Sequence, residues 1–195
     1  MFTRKGDSGS TDTGDRRRVS KSSSLVEVEG TLDEAFSNIG NAIALSKWED
    51  IKNDLRITQE DLFTLGEEIT ASGHARKLDP GRVEWLEERV VIYRKEVGPI
   101  RLFIVPDGTL QSTSLHIART VVRRLERKIV GSKEELSIPD HIIAYVNRLS
   151  SLLFMVAILS NKRQGIQERI WDIRGKSQLP PTSKEGLSGE GQDKS

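Results

Sequence analysis

Residues 139–161 constrain this chain more than any other stretch. After Pro139 the sequence sets Ile143, Val146, Leu149, Leu153, Phe154, Val156 and Ile158 on nearly every side of a helix. A helix that is apolar all round has no face to give to water, so it belongs in the centre of a bundle or inside a membrane. The longest apolar run, 152–159, falls far short of the roughly 18 residues that a span requires. The bundle remains, and other helices must surround this one.

Those helices are visible as apolar periodicity. Leu32, Phe36, Ile39 and Ile43 repeat at helical spacing and mark a first helix over about 31–46. A second helix or helix pair covers about 48–71, with Thr58 and Asp61 resembling a capping box that restarts it and Gly73 as its stop. Asp79-Pro80 reads as an N-cap followed by proline at the first helical position, opening a helix to about Val97. Ile100, Leu102 and Ile104 then alternate with Arg101 and Phe103, and Pro106-Asp107-Gly108 closes this short extended piece as a turn. No second strand candidate is visible, so the piece is too isolated to found a sheet. An arginine-rich helix follows over about 112–131, then the apolar helix to about Asn161, with an extension to Trp171 left open. The expectation is an all-α, up-down bundle of about five helices with a short extended segment near 100–105. Residues 1–24 read as a flexible N-terminal segment, 25–174 as the bundle and 175–195 as a disordered tail.

Composition excludes several chemistries. The net charge of +1 comes from 30 basic and 29 acidic residues, so no global field draws in nucleic acid or membrane and any anion site must be local. With no cysteine there is no disulfide, thiolate metal site or cysteine nucleophile. His74, His116 and His141 lack metal-ligand spacing. The first residues carry no apolar signal region, and a cytoplasmic location is expected.

Three constellations remain. In the arginine-rich helix, Leu115, Ala118, Val122, Leu125 and Ile129 form one apolar stripe, with Arg119, Arg123 and Glu126 on its border and Arg127 just beyond. Arginines at the edge of a core hold an ion pair or a phosphate, and Asp33 is a candidate acidic partner. A solvated basic face is the bland alternative. In the second constellation, Gly6-Asp7-Ser8-Gly9-Ser10-Thr11, followed by Arg18 and Lys21, offers backbone N–H groups and hydroxyls to an anion. On composition alone a flexible polar arm is the favoured reading. The third is Asn147-Arg148 with Ser150 and Ser151, which interrupts the apolar helix; a buried amide there needs a partner, in the core or on a ligand.

Taken in order, these strings resemble one family. G-D-x-G-x-T (Gly6 to Thr11), R-x-x-K (Arg18 to Lys21), G-T-x-D-E (Gly30 to Glu34), F-x-x-P (Phe103 to Pro106), L-H-x-A-R-T-V-x-R-R-x-E-R (Leu115 to Arg127) and Y-x-N-R-L-S (Tyr145 to Ser150) resemble the PduO-type ATP:cob(I)alamin adenosyltransferases over about residues 2–160. The resemblance implies a five-helix bundle, a homotrimer with active sites between subunits, and transfer of the 5′-deoxyadenosyl group of ATP to cob(I)alamin with release of triphosphate. It implies that Gly6, Asp7, Ser8, Gly9, Ser10, Thr11, Arg18 and Lys21 bind the nucleotide with Arg123, Glu126, Arg127 and Asn147. Asp33 would pair with Arg119 across the subunit boundary, and Phe103 would line the corrin and help keep the lower axial position of cobalt empty. Asp33, Phe103, Arg119 and Arg123 are thereby placed at the reacting centre. ATP, Mg2+ and cobalamin are the implied small molecules. A cob(II)alamin reductase and an adenosylcobalamin-dependent enzyme are the implied partners, with no nucleic acid and no membrane.

Three positions depart from the family pattern. Asp107 stands where the first glycine of P-G-G is usual, Ala35-Phe36 replaces Leu-Asn after Asp33-Glu34, and Ser151 replaces the aspartate that often follows N-R-L-S. Two other classes stay open at this point. One is a non-catalytic ATP/cobalamin-binding sensor on the same bundle. The other is a helical bundle that uses the arginine helix on nucleic-acid phosphates, which leaves the G-D-x-G-x-T string unexplained.

Overall fold

The computed structural model describes residues 4–14, 16–70, 75–100 and 103–171. The apolar helix is its axis. As helix α6 (Asp140–Arg163) it buries more residues than any other helix, among them Ile142, Tyr145, Leu149, Leu153 and Leu159 at 0% exposure. By length and composition alone it is apolar enough to cross a membrane, but 67% of its apolar window lies inside the bundle. Each fully buried Leu, Ile or Val contributes about 1.5–3 kcal/mol, which is why α6 takes the centre.

Four long helices surround it: α1 (Ser24–Leu45), α2 (Glu49–Thr70), α3 (Gly81–Val97) and α4 (Leu110–Gly131). A single turn, α5 (Lys133–Leu136), links α4 to α6. Cross-helix bonds set the directions. Asn41 reaches Ser114, Glu34 pairs with Arg124 and Glu27 pairs with Lys128, so α1 and α4 are antiparallel. Asn147 bonds Glu126 and Asn161 bonds Thr109, so α4 and α6 are also antiparallel. Glu87 pairs with Arg148 and Glu96 with Arg163, so α3 runs parallel to α6. The chain therefore alternates up and down, as expected. Local signals place the starts. Asp79 accepts from the Gly81 N–H through its carboxylate and from Arg82 through its carbonyl, and Thr109 caps α4 by accepting from Ser112 N at 3.1 Å.

Several boundaries differ from the sequence reading. The first helix begins at Ser24, because Leu25 and Val28 are buried and extend the apolar stripe backwards. Residues 49–70 are one unbroken helix. Thr58 and Asp61 do not cap a restart there, since both are buried and bond elsewhere. Asp61 accepts two bonds from Arg82 Nε at 3.0 Å, one from Arg82 Nη2 at 2.8 Å and one from the Tyr145 hydroxyl at 2.7 Å. Two turns earlier Asp54 accepts from the Tyr93 hydroxyl at 2.6 Å and lies 3.2 Å from Arg89. These two carboxylates tie α2 to α3 and α6. Gly73 and the tail 175–195 lie outside the described residues.

Two small two-stranded antiparallel sheets complete the fold. Strand β1 (Ser10–Asp12) pairs antiparallel with β2 (Arg18–Ser20) inside the N-terminal segment. Strand β3 (Phe103–Ile104) pairs antiparallel with β4 (Ile170–Trp171), in register Phe103↔Trp171 and Ile104↔Ile170. The extended piece is therefore not isolated, and α6 does not continue to Trp171. It ends at Arg163, and Gly165, at φ +71°, turns the chain back toward β3.

Candidate functional site

Helix α4 sorts its cations by face. The stripe of Leu115, Ala118, Val122, Leu125 and Ile129 is at 0% exposure against the core, as its periodicity predicts. On the side toward α1, Arg124 pairs with Glu34 and Lys128 with Glu27. On the side toward α6 lie Arg119, Arg123 and Glu126, with Arg127 at the rim. Among the described residues no carboxylate lies within ion-pair distance of Arg119, Arg123 or Arg127. Arg127 donates only to the Arg123 carbonyl, at 2.9 Å. Arg119 stacks its guanidinium 5.9 Å from the Phe154 ring, and its Nε is buried without a hydrogen-bond partner. Burial, and then the charge of Arg123, lowers the Arg119 pKa from its usual value. A guanidinium buried without a partner at its Nε, as in Arg119, carries a desolvation cost that an arriving anion relieves.

Asn147 sits opposite this row. Its Nδ2 donates to Glu126 Oε1 at 2.8 Å, and its Oδ1 accepts from Arg148 Nη1 at 2.8 Å. The partner that the sequence demanded is therefore a residue of the same constellation. Glu126 and Arg119 thus meet Asn147 and Phe154 of α6, with Arg123 exposed on the same side of α4.

His116 lies beside them at 3% exposure, 6.1 Å from the Phe154 ring, with neither ring nitrogen hydrogen-bonded. Burial, with Arg119's charge adding to it, holds its pKa down at about 4. An unfolded histidine takes up its proton near pH 6.5, so between those values the unfolded chain binds more protons. Stability should be complete above pH 6.5 and fall as the pH drops toward 4, by about 2 kcal/mol at pH 5. Urea unfolding at pH 7 and pH 5 tests this. His116→Leu should flatten the difference, and an unchanged pH slope in that variant would assign it to other groups.

The N-terminal loop folds as a tight turn closed by its own backbone bonds, with Lys21 beside it. Gly9 has φ +80°, its N–H reaches the Gly6 carbonyl at 3.2 Å, and the Lys21 N–H bonds the Gly9 carbonyl at 2.9 Å. A side chain at Gly6 would meet the Lys21 ammonium, which lies directly over that residue. Ser8 and Ser10 place their hydroxyls 3.4 Å apart, and Asp7 is exposed. Thr11 is half-buried in β1. Arg18 holds the hairpin closed instead of standing free, pairing with Asp12 at 3.2 Å and donating to the Lys5 carbonyl. The loop feeds α1 at the end of the bundle where α4 finishes, since Ser24 donates to Glu135 and Glu27 pairs with Lys128.

Phe103 is at the other end. It is 67% exposed on β3, next to a largely apolar cleft of about 610 Å³ lined by Val97, Ile100, Ile104, Ile158, Ile166 and Ile170. Seventeen residues of α4 separate Leu110 from Arg127, about 25 Å along the axis. Asp33 and Arg119 do not meet within the chain. Asp33 lines a second groove of about 260 Å³ between α1 and α2, with Phe36, Phe63 and Glu67. Phe36, one of the departures from the family pattern, packs edge-on against Phe63 at 4.6 Å. Sequence reasoning missed Asn161, which binds the turn after Phe103. An amide just after the apolar run 152–159 is the one sequence signal that could have found it.

The sequence profile of the family described as cobalamin adenosyltransferase matches residues 1–160. A corrinoid adenosyltransferase of Bacillus subtilis (strain 168) is 37% identical over 172 residues, covering 85% of this chain and 89% of that protein. A cobalamin adenosyltransferase of Cupriavidus metallidurans is 36% identical over 174 residues, covering 88% of this chain and 93% of that protein. Among solved structures, a variant PduO-type ATP:corrinoid adenosyltransferase from Lactobacillus reuteri complexed with cobalamin and ATP superposes with a TM-score of 0.81. It is 29% identical and covers 87% of this chain and 98% of that one.

Proposed function

The chain belongs to the cobalamin adenosyltransferase family, and on that premise we propose that it transfers the 5′-deoxyadenosyl group of ATP to cob(I)alamin in the cytoplasm. The observation that carries the site assignment is the row of Arg119, Arg123 and Arg127, which have no carboxylate partner among the described residues while their neighbours Arg124 and Lys128 do. Cobalt(I) brings its own electron pair and attacks the 5′ carbon. The C5′–O bond breaks, and its electrons leave with triphosphate. No side chain has to act as nucleophile or base, which agrees with a site made of cations, amides and hydroxyls. Its work is alignment and stabilisation of the charge that gathers on the leaving triphosphate. Arg123 and Arg127 hold that charge. Lys21 and the loop Gly6, Asp7, Ser8, Gly9, Ser10 and Thr11 wrap the phosphates, while Arg18 shapes the loop. Glu126 orients Asn147 toward the nucleotide.

Magnesium fits as a companion of the nucleotide. Among the described residues no three His, Asp or Glu side chains gather into a cage, and Mg2+ characteristically binds through phosphates and waters with one or two protein ligands. Asp7 and the hydroxyls of Ser8, Ser10 and Thr11 are the groups placed to reach it. Bound there, the ion would neutralise phosphate charge.

The active site is composed of two chains in a homotrimer. The loop and Phe103 stand at opposite ends of one bundle, so a nucleotide and corrin that touch both span a subunit boundary. Asp33 of one copy then pairs with Arg119 of the next, supplying the carboxylate that Arg119 lacks. A double-mutant cycle on Asp33→Asn and Arg119→Ala should give a coupling of about 1 kcal/mol or more in trimer stability. Additive effects would reject the pairing. A cob(II)alamin reductase upstream and an adenosylcobalamin-dependent enzyme downstream are the partners this chemistry implies. The activity itself is tested anaerobically with ATP and chemically reduced cobalamin. Adenosylcobalamin and triphosphate should appear in equal amounts, and binding of both ligands without product would leave a sensor.

A further inference from the structure

Asn161 is 1% exposed near the end of α6, and both ends of its amide are fully used. Its Oδ1 accepts from the Thr109 N–H at 2.9 Å and the Thr109 hydroxyl at 3.1 Å. Its Nδ2 donates to the Asp107 carbonyl at 3.0 Å and to Glu168 Oε1 at 3.0 Å. Two bonds on each side is the full capacity of an asparagine amide. Three segments therefore meet on one side chain: the turn that follows Phe103, the core helix, and the segment returning to β4.

The fit is close. Gly108 has φ +101°, and a β-carbon there would overlap the Asn161 amide. Only glycine allows the turn to wrap so tightly over it. From Asn161 the connections run outward to Phe103 on both strands. Val105 N–H bonds the Arg169 carbonyl at 2.8 Å, Arg169 lies 3.4 Å from Asp107, and Phe103 faces Trp171 in the ladder. Asp107, where the family pattern has glycine, thus serves as the second tie between the turn and the returning segment. Phe103 is mostly exposed, so little packing of its own ring sets where it stands. Its backbone does, and that backbone is anchored through Asn161.

We propose that Asn161 is a positioning residue that fixes the Phe103 strand pair against the corrin. This rests on the reading that Phe103 faces the corrin. The full-length protein is compared with Phe103→Ala, Asn161→Ala and the double variant, after each is shown to be folded and trimeric. Asn161→Ala should lower adenosylation at least tenfold and leave the KM for ATP within twofold. The absorption spectrum of bound cob(II)alamin should shift in the same sense as in Phe103→Ala. Adding Asn161→Ala to Phe103→Ala should cost less than twofold more. Asn161→Asp, which keeps the acceptor for Thr109 and removes both donors, serves if the alanine variant does not fold, and should move the same readouts in the same direction. Multiplicative losses, or a raised KM for ATP, would overturn the positioning role while leaving the corrin reading of Phe103 intact. Full activity in Phe103→Ala would instead remove that reading and this inference together.

Discussion

Asp61→Ala is expected to destabilise the fold by about 3–5 kcal/mol, the usual result of removing one partner from a buried ion pair. Asp61 is 9% exposed and accepts three bonds from Arg82 and one from Tyr145. Without it the guanidinium keeps only the face of Trp85, 4.2 Å away. The Tyr145 hydroxyl, at 0% exposure, is left in the core without this acceptor. Burial, then the Asp61 charge, already raises the Tyr145 pKa well above its usual value, so the phenol cannot escape the loss by ionising. For a chain of this length each kcal/mol moves Tm by about 2–4 °C, and a drop of about 10 °C should follow. Asp61→Asn, which keeps an oxygen for Tyr145, should lose about half as much. Denaturation at fixed protein concentration measures both, and a loss below about 1 kcal/mol for the alanine variant would mean that the network contributes little.

Arg123→Ala should do the opposite, sparing the fold and harming the reaction. The side chain is exposed and has no carboxylate partner among the described residues, so stability should change by less than about 0.5 kcal/mol. Turnover should fall at least tenfold, about 1.4 kcal/mol of transition-state stabilisation, because a charge that meets the leaving triphosphate is gone. Arg124→Lys is the control. It keeps a cation opposite Glu34 on the other face of the same helix, and turnover should stay close to that of the parent. Near-normal activity in Arg123→Ala, or an equal loss in Arg124→Lys, would remove Arg123 from the phosphate site.

Much of the architecture was legible because helices announce themselves locally. The spacing of Leu115, Ala118, Val122, Leu125 and Ile129 marked the core face of α4, and all five are buried. Apolar residues on nearly every side of 143–158 placed α6 at the centre, despite the polar interruption at Asn147-Arg148. What the pattern missed was non-local. The strand at Ile170–Trp171 is two residues long and exists because Phe103–Ile104 lies beside it. Nothing near Trp171 in the sequence signals that. Thr58 and Asp61 looked like a cap because their spacing matched one, but Arg82 and Tyr145 come from distant helices to claim the carboxylate.

The candidate site divides along the same line. The motif strings alone determined the family, because those strings are short and contiguous in the chain. Only the tertiary structure decided that Arg124 and Lys128 are spent on α1 while Arg119, Arg123 and Arg127 have no carboxylate partner among the described residues. Only it showed the loop entering at one end of the bundle and Phe103 standing at the other, bound to the core through Asn161. The physical reason is that periodicity fixes which way a side chain points from its own helix. Whether a charge finds a partner depends on what another helix, remote in sequence, brings within about 3 Å.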